Sequence, residues 1–337
     1  IARKENFTFN SVSLMNIVFS LFPISFIAGN LMTNINFFLF CCLGIFHLRS
    51  KILINKLNFP LKIVFIFFLL VLFSTSLNFV ESLYAGNYEK SDLTKLIKSI
   101  LFFRFFIILL IVYLLSELDI INFKYFFLSA FLSSLLISID VIFQYTFGFN
   151  IIGLESYGHH NTSFLGDELI ACGFIQNFSF FAIFFAIYLL RNNNYYFRSI
   201  LLVIVICALA IGIVVSGNRM PFILFLFGLF LVFLFNKKLK KIALISFLTM
   251  SIILGFIMSF DKEIEKHYAS FNSNIHKLVV AVSQRIKDDP SVTIQKEQKD
   301  FLYEDQEGHG YRKIFFTGIE TWKLHKIFGN GIKSFRQ

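Results

Sequence analysis

Long apolar runs alternate with short polar segments from Ser11 to Phe260. Lipid cannot hydrogen bond to the backbone, so an apolar run of about 18 residues or more predicts a membrane-spanning helix. The pattern predicts about nine spans. Their expected bounds are residues 12–29, 31–48, 61–78, 97–116, 125–145, 169–190, 199–216, 220–235 and 242–259.

The pattern changes after Asp261, where the segment becomes polar. Apolar residues there follow helical spacing, which predicts an amphipathic helix that lies on the membrane or on the bundle and ends at Asp288-Asp289-Pro290. A second helix is expected to begin near Tyr311 and to end at Gly329-Asn330-Gly331. We therefore expect an all-α polytopic membrane protein, with a transmembrane bundle in residues 1–259 and a long, partly helical loop region in residues 260–337.

The two ends of the sequence carry a further expectation. The chain begins at Ile1 and stops at Gln337 without a closing apolar run. We expect a fragment that lacks its carboxy-terminal helices, so that the loop region 260–337 is incomplete at its end.

Composition agrees with a membrane protein. The chain is 56% hydrophobic and only 15% charged, with a mean hydropathy of +0.71. This is too apolar for a soluble domain. The four cysteines, Cys41, Cys42, Cys172 and Cys207, lie in or beside apolar runs without metal-ligand spacing, and we expect small buried hydrophobic residues with no disulfides.

The distribution of basic residues predicts the orientation of the chain. It also explains the net positive charge without a nucleic-acid partner. The net charge is +10. Most basic loop residues fall on one side of the predicted bundle, and that side is expected to be cytoplasmic. The amino terminus is then cytoplasmic and the long loop region lies outside. The other side carries only Lys90, Lys95, Lys98 and Arg219 in its short loops and span ends.

Two charged residues are expected inside the membrane. Arg104 lies about eight residues and Asp140 about six residues from the outer end of its span, which places both roughly 9–12 Å deep, so they could meet. Intramembrane charges are costly and often functional. Two interpretations stay open: a structural ion pair, or a role in a substrate cavity.

The outer loop from Ile151 to Glu168 contains both histidines and acids. His159 and His160 are possible ligands by type, but adjacent histidines do not converge easily on one ion, and no metal site is predicted. Asp167 and Glu168 precede the sixth span, where acids interact favourably with a helix dipole. They could instead orient an acceptor sugar hydroxyl or pair with an arginine.

Three arginines are candidates for binding phosphate. Arg219 follows Gly217 in the break Ser216-Gly217-Asn218-Arg219, against the charge bias of the outer side. It is either an interfacial side chain that reaches lipid headgroups or a phosphate ligand, because a guanidinium presents forked donors to phosphate oxygens. Arg312 and Arg336 in the outer segment are either solvated charges or further phosphate ligands.

These motifs resemble the O-antigen ligase and polymerase family of bacterial envelope glycosyltransferases. The break at Ser216 to Arg219 is similar to the family's S-G-x-R motif, which is followed by an apolar helix. The run from Arg312 to Phe335 resembles the family's outer helix and its G-x-G-x-x-x-F motif. The stretch Ser163 to Ile170 is similar to one found in a branch of the family.

The resemblance implies a function and a location. Family members lie in the bacterial inner membrane and transfer a glycan from a polyprenyl-pyrophosphate carrier to an acceptor at the outer, periplasmic face. Lipid A core is the acceptor in ligases, and a second lipid-linked repeat unit is the acceptor in polymerases. By this resemblance Arg219 and Arg312 would hold the pyrophosphate, with no metal or cofactor. The family's candidate base histidine would fall beyond Gln337; His309 and His325 precede that point and are interpreted as surface residues.

Other functions remain open at this stage. A membrane transporter or lipid flippase would also have many spans and intramembrane charges, and it would be expected to show repeat symmetry and helices broken near the midplane. A receptor or scaffold is a third class, which the intramembrane charges of Arg104 and Asp140 disfavour.

Overall fold

The computed structural model describes residues 11–48, 58–84, 86, 90–156, 160–166, 170–237, 239–260, 262 and 318. These residues form eleven α-helices and two short 3₁₀ turns, and the described part of the chain contains no β-strand. The all-α expectation is therefore confirmed over these residues. Beyond Phe260 the structure describes only Lys262 and Gly318. The two helices predicted in residues 260–337 therefore lie outside the described residues.

The helices follow one another along the chain with short connections. Their bounds are α1 Ser11–Ser20, α2 Phe22–Ile27, α3 Asn30–Leu48, α4 Phe59–Tyr84, α5 Lys90–Phe102, α6 Arg104–Glu117, α7 Phe123–Phe147, α8 Ala171–Leu189, α9 Tyr195–Val215, α10 Arg219–Phe235 and α11 Lys240–Phe260.

Within the described residues, seven helical stretches are long and apolar enough to cross a membrane, which indicates a multi-pass membrane protein. They are Asn30–Leu48, Phe59–Tyr84, Asp92–Glu117, Phe123–Phe147, Ala171–Asn192, Tyr195–Val215 and Lys240–Phe260. The two remaining predicted spans are shorter helices. The eighth, α10, has 17 residues, or about 26 Å of helix. The full number of spans stays a prediction.

The first predicted span is interrupted. Helix α1 has 10 residues and α2 has 6, with the break at Leu21. Pro23 lies in the first turn of α2. Proline has no N–H to donate to the carbonyl of Phe19 four residues earlier, so an unbroken helix would leave that carbonyl without its helical partner.

The described helices form two compact units. The smaller runs from Leu48 to Leu114, and the larger takes in the helices up to His47 and those from Leu115 onward. In the smaller unit α4 packs on α5 through phenylalanine rings. Phe68 lies 5.0 Å from Phe102 between ring centroids, and Phe65 lies 5.1 Å from Phe106 at the start of α6.

The core of the larger unit consists of α7, α8 and α9, with α10 and α11 packed beside them and α1 and α2 against α7. Serines allow α7 and α9 to approach closely. Ser134 and Ser138 are fully buried, and the Ser138 hydroxyl donates to the carbonyl of Ala208 on α9 at 2.6 Å. Small residues at such crossings let two backbones come together in a membrane.

The start of α7 is fixed by a residue distant in sequence. Asn16 on α1 donates to the carbonyl of Ile120 at 3.0 Å and accepts from the backbone N–H of Asn122 at 2.7 Å. The Asn122 side chain in turn caps α7 by accepting from the N–H of Lys124 at 3.0 Å. The turn before α7 is thus held from both sides.

The expectation for the cysteines is only partly correct. Cys172 and Cys207 are buried, but Cys41 is half-buried and Cys42 is exposed, so the expectation of burial was wrong for Cys42. Cys42 faces outward from α3 beside other exposed apolar residues such as Phe46. A thiol is compatible with that apolar surface because it behaves as a small hydrophobic group.

The α7–α9 crossing predicts a large cost for one added methyl group. A Cβ at Gly212 would overlap the Ser138 side chain and come within 3.0 Å of its Cα. We expect Gly212→Ala to destabilise the protein by about 1–3 kcal/mol, the usual cost of overpacking. Thermal unfolding in detergent would measure the effect.

The controls use the same crossing and a second helical glycine. Gly255→Ala on α11 should be tolerated, because a Cβ there has no neighbour within 4 Å. Adding Ser138→Gly to Gly212→Ala should recover part of the lost stability by removing the overlapping side chain. Equal stability of the two alanine variants would contradict the close approach.

Candidate functional site

Buried polar side chains gather at the carboxyl-terminal end of α7 and in the loop that follows it, residues 148–166. Asp140 is fully buried on α7. One carboxylate oxygen, Oδ1, accepts from the backbone N–H of Ile151 at 2.9 Å, and the other, Oδ2, accepts from the hydroxyl of Ser163 at 2.6 Å. Both oxygens of this carboxylate therefore accept hydrogen bonds from the loop that follows α7.

Gln144, one turn further along α7, holds the same loop with its amide. Its Nε2 donates to the carbonyls of Leu154 and Glu155, each at 3.2 Å, and its Oε1 accepts from the N–H of Ser163 at 2.8 Å. The helix ends immediately afterwards at Gly148, whose φ of 82° suits a residue without a side chain.

Asn150 completes the attachment from within the loop. Its Oδ1 accepts from the N–H groups of Ile152 and Leu154 at 3.1 and 2.7 Å, and its Nδ2 donates to the carbonyl of Ser163 at 3.0 Å. All three polar groups of Ser163 are thus bound by buried side chains.

Ser163 adopts a backbone conformation that most residues avoid. Its φ is 55°, in the left-handed region, although it is not a glycine. Such a conformation costs an L-residue roughly 1–2 kcal/mol and persists where the surroundings determine it. The hydrogen bonds to Asp140, Gln144 and Asn150 hold Ser163 in this conformation.

The loop is joined to the S-G-N-R segment by Asn161. Its Nδ2 donates to the carbonyl of Val215, the last residue of α9, at 2.6 Å, and its Oδ1 accepts from the hydroxyl of Ser156 at 3.0 Å. The chain then turns at Gly217, where φ is 92°, and α10 begins at Arg219 with Asn218 at the N-cap. Asp140 is therefore connected to the break before Arg219 by its hydrogen bond to Ser163, the backbone from Ser163 to Asn161, and the hydrogen bond from Asn161 to Val215.

Arg219 lies where an anion is favoured. The residue is half-buried, its Nε is buried, and it occupies the first turn of a helix of 17 residues. The amino-terminal end of a helix carries a partial positive charge and free N–H groups, and the guanidinium adds a full charge beside them. The phosphate-binding role of Arg219 remains a prediction with a suitable electrostatic setting.

Arg104 and Asp140 are described in different units of the structure, so their expected pairing stays a prediction. Arg104 is exposed at the start of α6, and its guanidinium carbon lies 5.0 Å from the centroid of the Phe105 ring. Asp140, in its own unit, is hydrogen bonded to the loop that follows α7. This anchoring role differs from both interpretations made from the sequence, which stay untested.

The other candidates divide by whether the structure describes them. Asp167, Glu168, Arg312, Arg336 and His159 lie outside the described residues. His160 is half-buried, and its buried Nδ1 has no hydrogen-bond partner among the described residues. No group of three or more histidine, cysteine or acidic residues that could hold a metal occurs in the part of the chain that the structure describes.

The sequence pattern does not indicate the residues that build this end of the bundle. Asn150, Asn161 and Ser163 are ordinary loop residues by composition, and nothing in the apolar periodicity distinguishes them. The available signal was the succession Asp140, Gln144 at helical spacing near the end of an apolar run, which predicts two polar groups on one buried face that must find partners.

Searches with this sequence and this fold matched no protein family model, no characterised protein and no solved structure. The interpretation of the site therefore depends on its geometry and on the motifs in the sequence.

Two substitutions at Ser163 should separate its hydrogen bond from its backbone strain. Ser163→Ala removes the hydroxyl from Oδ2 of Asp140 and keeps a side chain in the left-handed region. We expect a loss of about 1–3 kcal/mol, because a buried carboxylate oxygen loses its donor. Ser163→Gly loses the same bond but relieves the strain at φ, so it should be the more stable of the two.

Thermal unfolding in detergent would measure both variants against Ser251→Ala, an exposed serine whose hydroxyl bonds only within α11 in the described structure. We expect that control to remain close to the unmodified protein. A Ser163→Ala protein as stable as the control would contradict the anchoring role of Asp140.

Proposed function

We propose that this chain transfers a glycan from a polyprenyl-pyrophosphate carrier to an acceptor sugar at the outer face of the bacterial inner membrane, in the manner of O-antigen ligases and polymerases. The observation that carries the proposal is the joining of the S-G-N-R break to the buried polar loop through Asn161 and Val215, at 2.6 Å. The polar chemistry of the described larger unit is concentrated at the end where α10 begins with Arg219.

The chemistry assigns separate tasks to the candidate residues. An acceptor hydroxyl attacks the anomeric carbon of the donor, the bond from that carbon to the pyrophosphate oxygen breaks, and the hydroxyl proton passes to a base. Negative charge grows on the leaving pyrophosphate, so fixed cations aimed at it lower the barrier. Arg219 and Arg312 provide those cations, and the resemblance assigns the base to a histidine that follows the family's G-x-G-x-x-x-F motif.

The remaining candidates support this arrangement. Asp167 and Glu168 follow the anchored loop directly in sequence, and we assign to them the orientation of the acceptor hydroxyl. Arg336 and Arg104 are further cations for the carrier phosphates. Asp140 acts indirectly, because it holds the loop by accepting hydrogen bonds from Ser163 and Ile151.

A membrane transporter or lipid flippase is the alternative, and one observation favours it. Two of the predicted spans contain interruptions, at Leu21 between α1 and α2 and at Phe103 between α5 and α6. Transporters often place substrate sites at such breaks. The transferase proposal nevertheless accounts for the S-G-N-R segment and the polar loop together, which the interruptions do not involve.

Substitution of the arginines tests the transferase directly. Arg219→Ala and Arg312→Ala should abolish glycan transfer, since each removes a charge that stabilises the leaving group, and Arg219→Lys should retain part of the activity because it keeps the charge but loses the fork. Transfer would be measured with purified protein, lipid-linked donor and acceptor. Arg191→Ala, at an exposed arginine beside Tyr188, is the matched control and should leave transfer unchanged.

Deletion of the gene would distinguish the two kinds of transferase. Surface polysaccharide separated on a gel should lose all long chains from lipid A if the protein is a ligase, and should show caps of a single repeat if it is a polymerase. An unchanged polysaccharide pattern together with altered uptake of a solute would contradict both and support the transporter.

A further inference from the structure

Helix α5 carries three of the four basic residues that run against the charge bias of the outer side: Lys90, Lys95 and Lys98. The proposed transfer uses none of them. Residues three or four apart lie together on a helix surface, so Lys90, Thr94 and Lys98 form one row along α5. We call this the lysine row. Lys90, Thr94 and Lys98 are all exposed.

The side of α5 that lies roughly 80–160° around the helix from Thr94 makes other contacts. Lys95 forms a half-buried ion pair with Asp92 at 3.1 Å. Ser99 is 2% exposed, and Phe102 packs on Phe68 of α4. The charge of Lys95 is therefore balanced within the helix, whereas the charges of Lys90 and Lys98 face outward.

The lysine row has apolar neighbours that are exposed as well. Ile97 and Leu101 lie roughly 60° and 20° around the helix from Thr94, with 48 and 54% of their surface exposed. Leu93 and Ile100 lie further round in the same direction, with 41 and 56% exposed. In a membrane-spanning protein such residues contact lipid chains. A surface that combines outward lysines with exposed aliphatic side chains suits a molecule with an anionic head and a hydrocarbon tail.

The length of the span places the lysine row at the membrane surface. The stretch Asp92–Glu117 has 26 residues. It is therefore about 39 Å long and exceeds a hydrocarbon core of about 30 Å by about six residues. From Ser99 to Ser116 the only charged residue is Arg104, so the core begins close to Lys98.

Lys98 and Lys90 lie at different distances from the lipid phosphates. Side chains on a helix lean toward its amino terminus, which is the outer end of α5, so Lys98 extends from the edge of the core toward the phosphate level. Lys90 lies about 12 Å further out along the axis, close to one screening length from the charged surface. Thr94 contributes no donor, because its hydroxyl donates to the carbonyl of Lys90 at 2.9 Å.

We propose that the lysine row of α5 binds the headgroup phosphate of anionic phospholipids in the outer leaflet, with Lys98 in contact and Lys90 attracting the headgroups at longer range. Two exposed charges spaced along the axis suit a charged lipid surface. They suit the pyrophosphate of one lipid-linked donor less well, because its two phosphates share a single oxygen. This binding is independent of the proposed transfer and requires no glycan.

The experiment captures the lipid that lies on the row. The full chain, with the photoreactive residue p-benzoylphenylalanine at Thr94, is reconstituted in vesicles of equimolar phosphatidylcholine and phosphatidylglycerol, and the cross-linked lipid is identified by mass spectrometry. We expect phosphatidylglycerol to be captured in preference by about fivefold, the effect of one lysine near a charged surface. The variant carrying Lys90→Gln and Lys98→Gln should capture the two lipids equally, and Lys98→Gln alone should lose more of the preference than Lys90→Gln alone.

Two controls make the result specific to the row. Lys240→Gln with Lys241→Gln removes two exposed lysines from α11 and should leave the preference at position 94 unchanged. The same probe at Ile252, which is 71% exposed on α11, should report the bulk lipid ratio in every variant.

Three results would overturn the proposal. The first is equal capture of the two lipids at position 94 in the unmodified chain. The second is a preference that survives the double substitution of Lys90 and Lys98. The third is dominant capture of a polyprenyl phosphate when it is mixed in equal amount with phosphatidylglycerol, since that would assign the row to the carrier lipid.

Discussion

A carboxylate buried inside an apolar helix must be hydrogen bonded, and this requirement at Asp140 determines the structure of the larger unit where α7 ends. Desolvation of an unpaired carboxylate would cost more than most single interactions return. The donors come from the loop after α7, from the N–H of Ile151 and the hydroxyl of Ser163. The loop is thereby drawn down onto the helix end, and Ser163 accepts an unfavourable φ to reach its partner.

The same constraint extends to the S-G-N-R segment. With Ser163 fixed, Asn161 lies two residues away and donates to the carbonyl of Val215, so the end of α9 is tied to the loop. Gly217 then turns the chain, and Arg219 opens α10. A charged side chain at a helix start is useful for binding an anion only if the start is held in place, because preorganised charge needs no rearrangement when the ligand arrives. Asp140 thus supports Arg219 without contact between them being required.

The apolar pattern predicted the helices well because membrane helices depend on run length. The expected spans 31–48 and 169–190 correspond to α3, Asn30–Leu48, and α8, Ala171–Leu189. The prediction of one continuous helix for the first span was wrong. Hydropathy does not show that Pro23 has no backbone N–H to donate to a helical hydrogen bond. The partners of Asp140 were missed for a different reason. They belong to a loop without periodicity. A hydrogen bond from Ser163 to a residue 23 positions earlier cannot be recognised from the local sequence.

The sequence predicted the charged residue Arg219 of the candidate site, but it did not predict the hydrogen bonds that connect its segment to the loop. Arg219 was identified because a lone arginine on the outer side conflicts with the charge bias, and that conflict needs only a count of loop residues. Its connection to the loop through Asn161 required coordinates. Asp167, Glu168, Arg312 and Arg336 remain predictions from motifs, so the described part of the site is the support for Arg219 and the anchor of the loop.

Arg219 and the lysine row break the same charge rule, but their settings suit different anions. Arg219 is half-buried at a helix start, and its planar guanidinium offers forked donors in a fixed geometry, which favours a single phosphate held in place. Lys98 is exposed on a flexible stem beside aliphatic side chains, which favours many headgroups in exchange. In the predicted orientation, positive charge on the outer side runs against the charge bias, and a bound anion would compensate for it. A bound phosphate compensates for Arg219 in the proposed transfer, and the anionic leaflet surface compensates for Lys90 and Lys98.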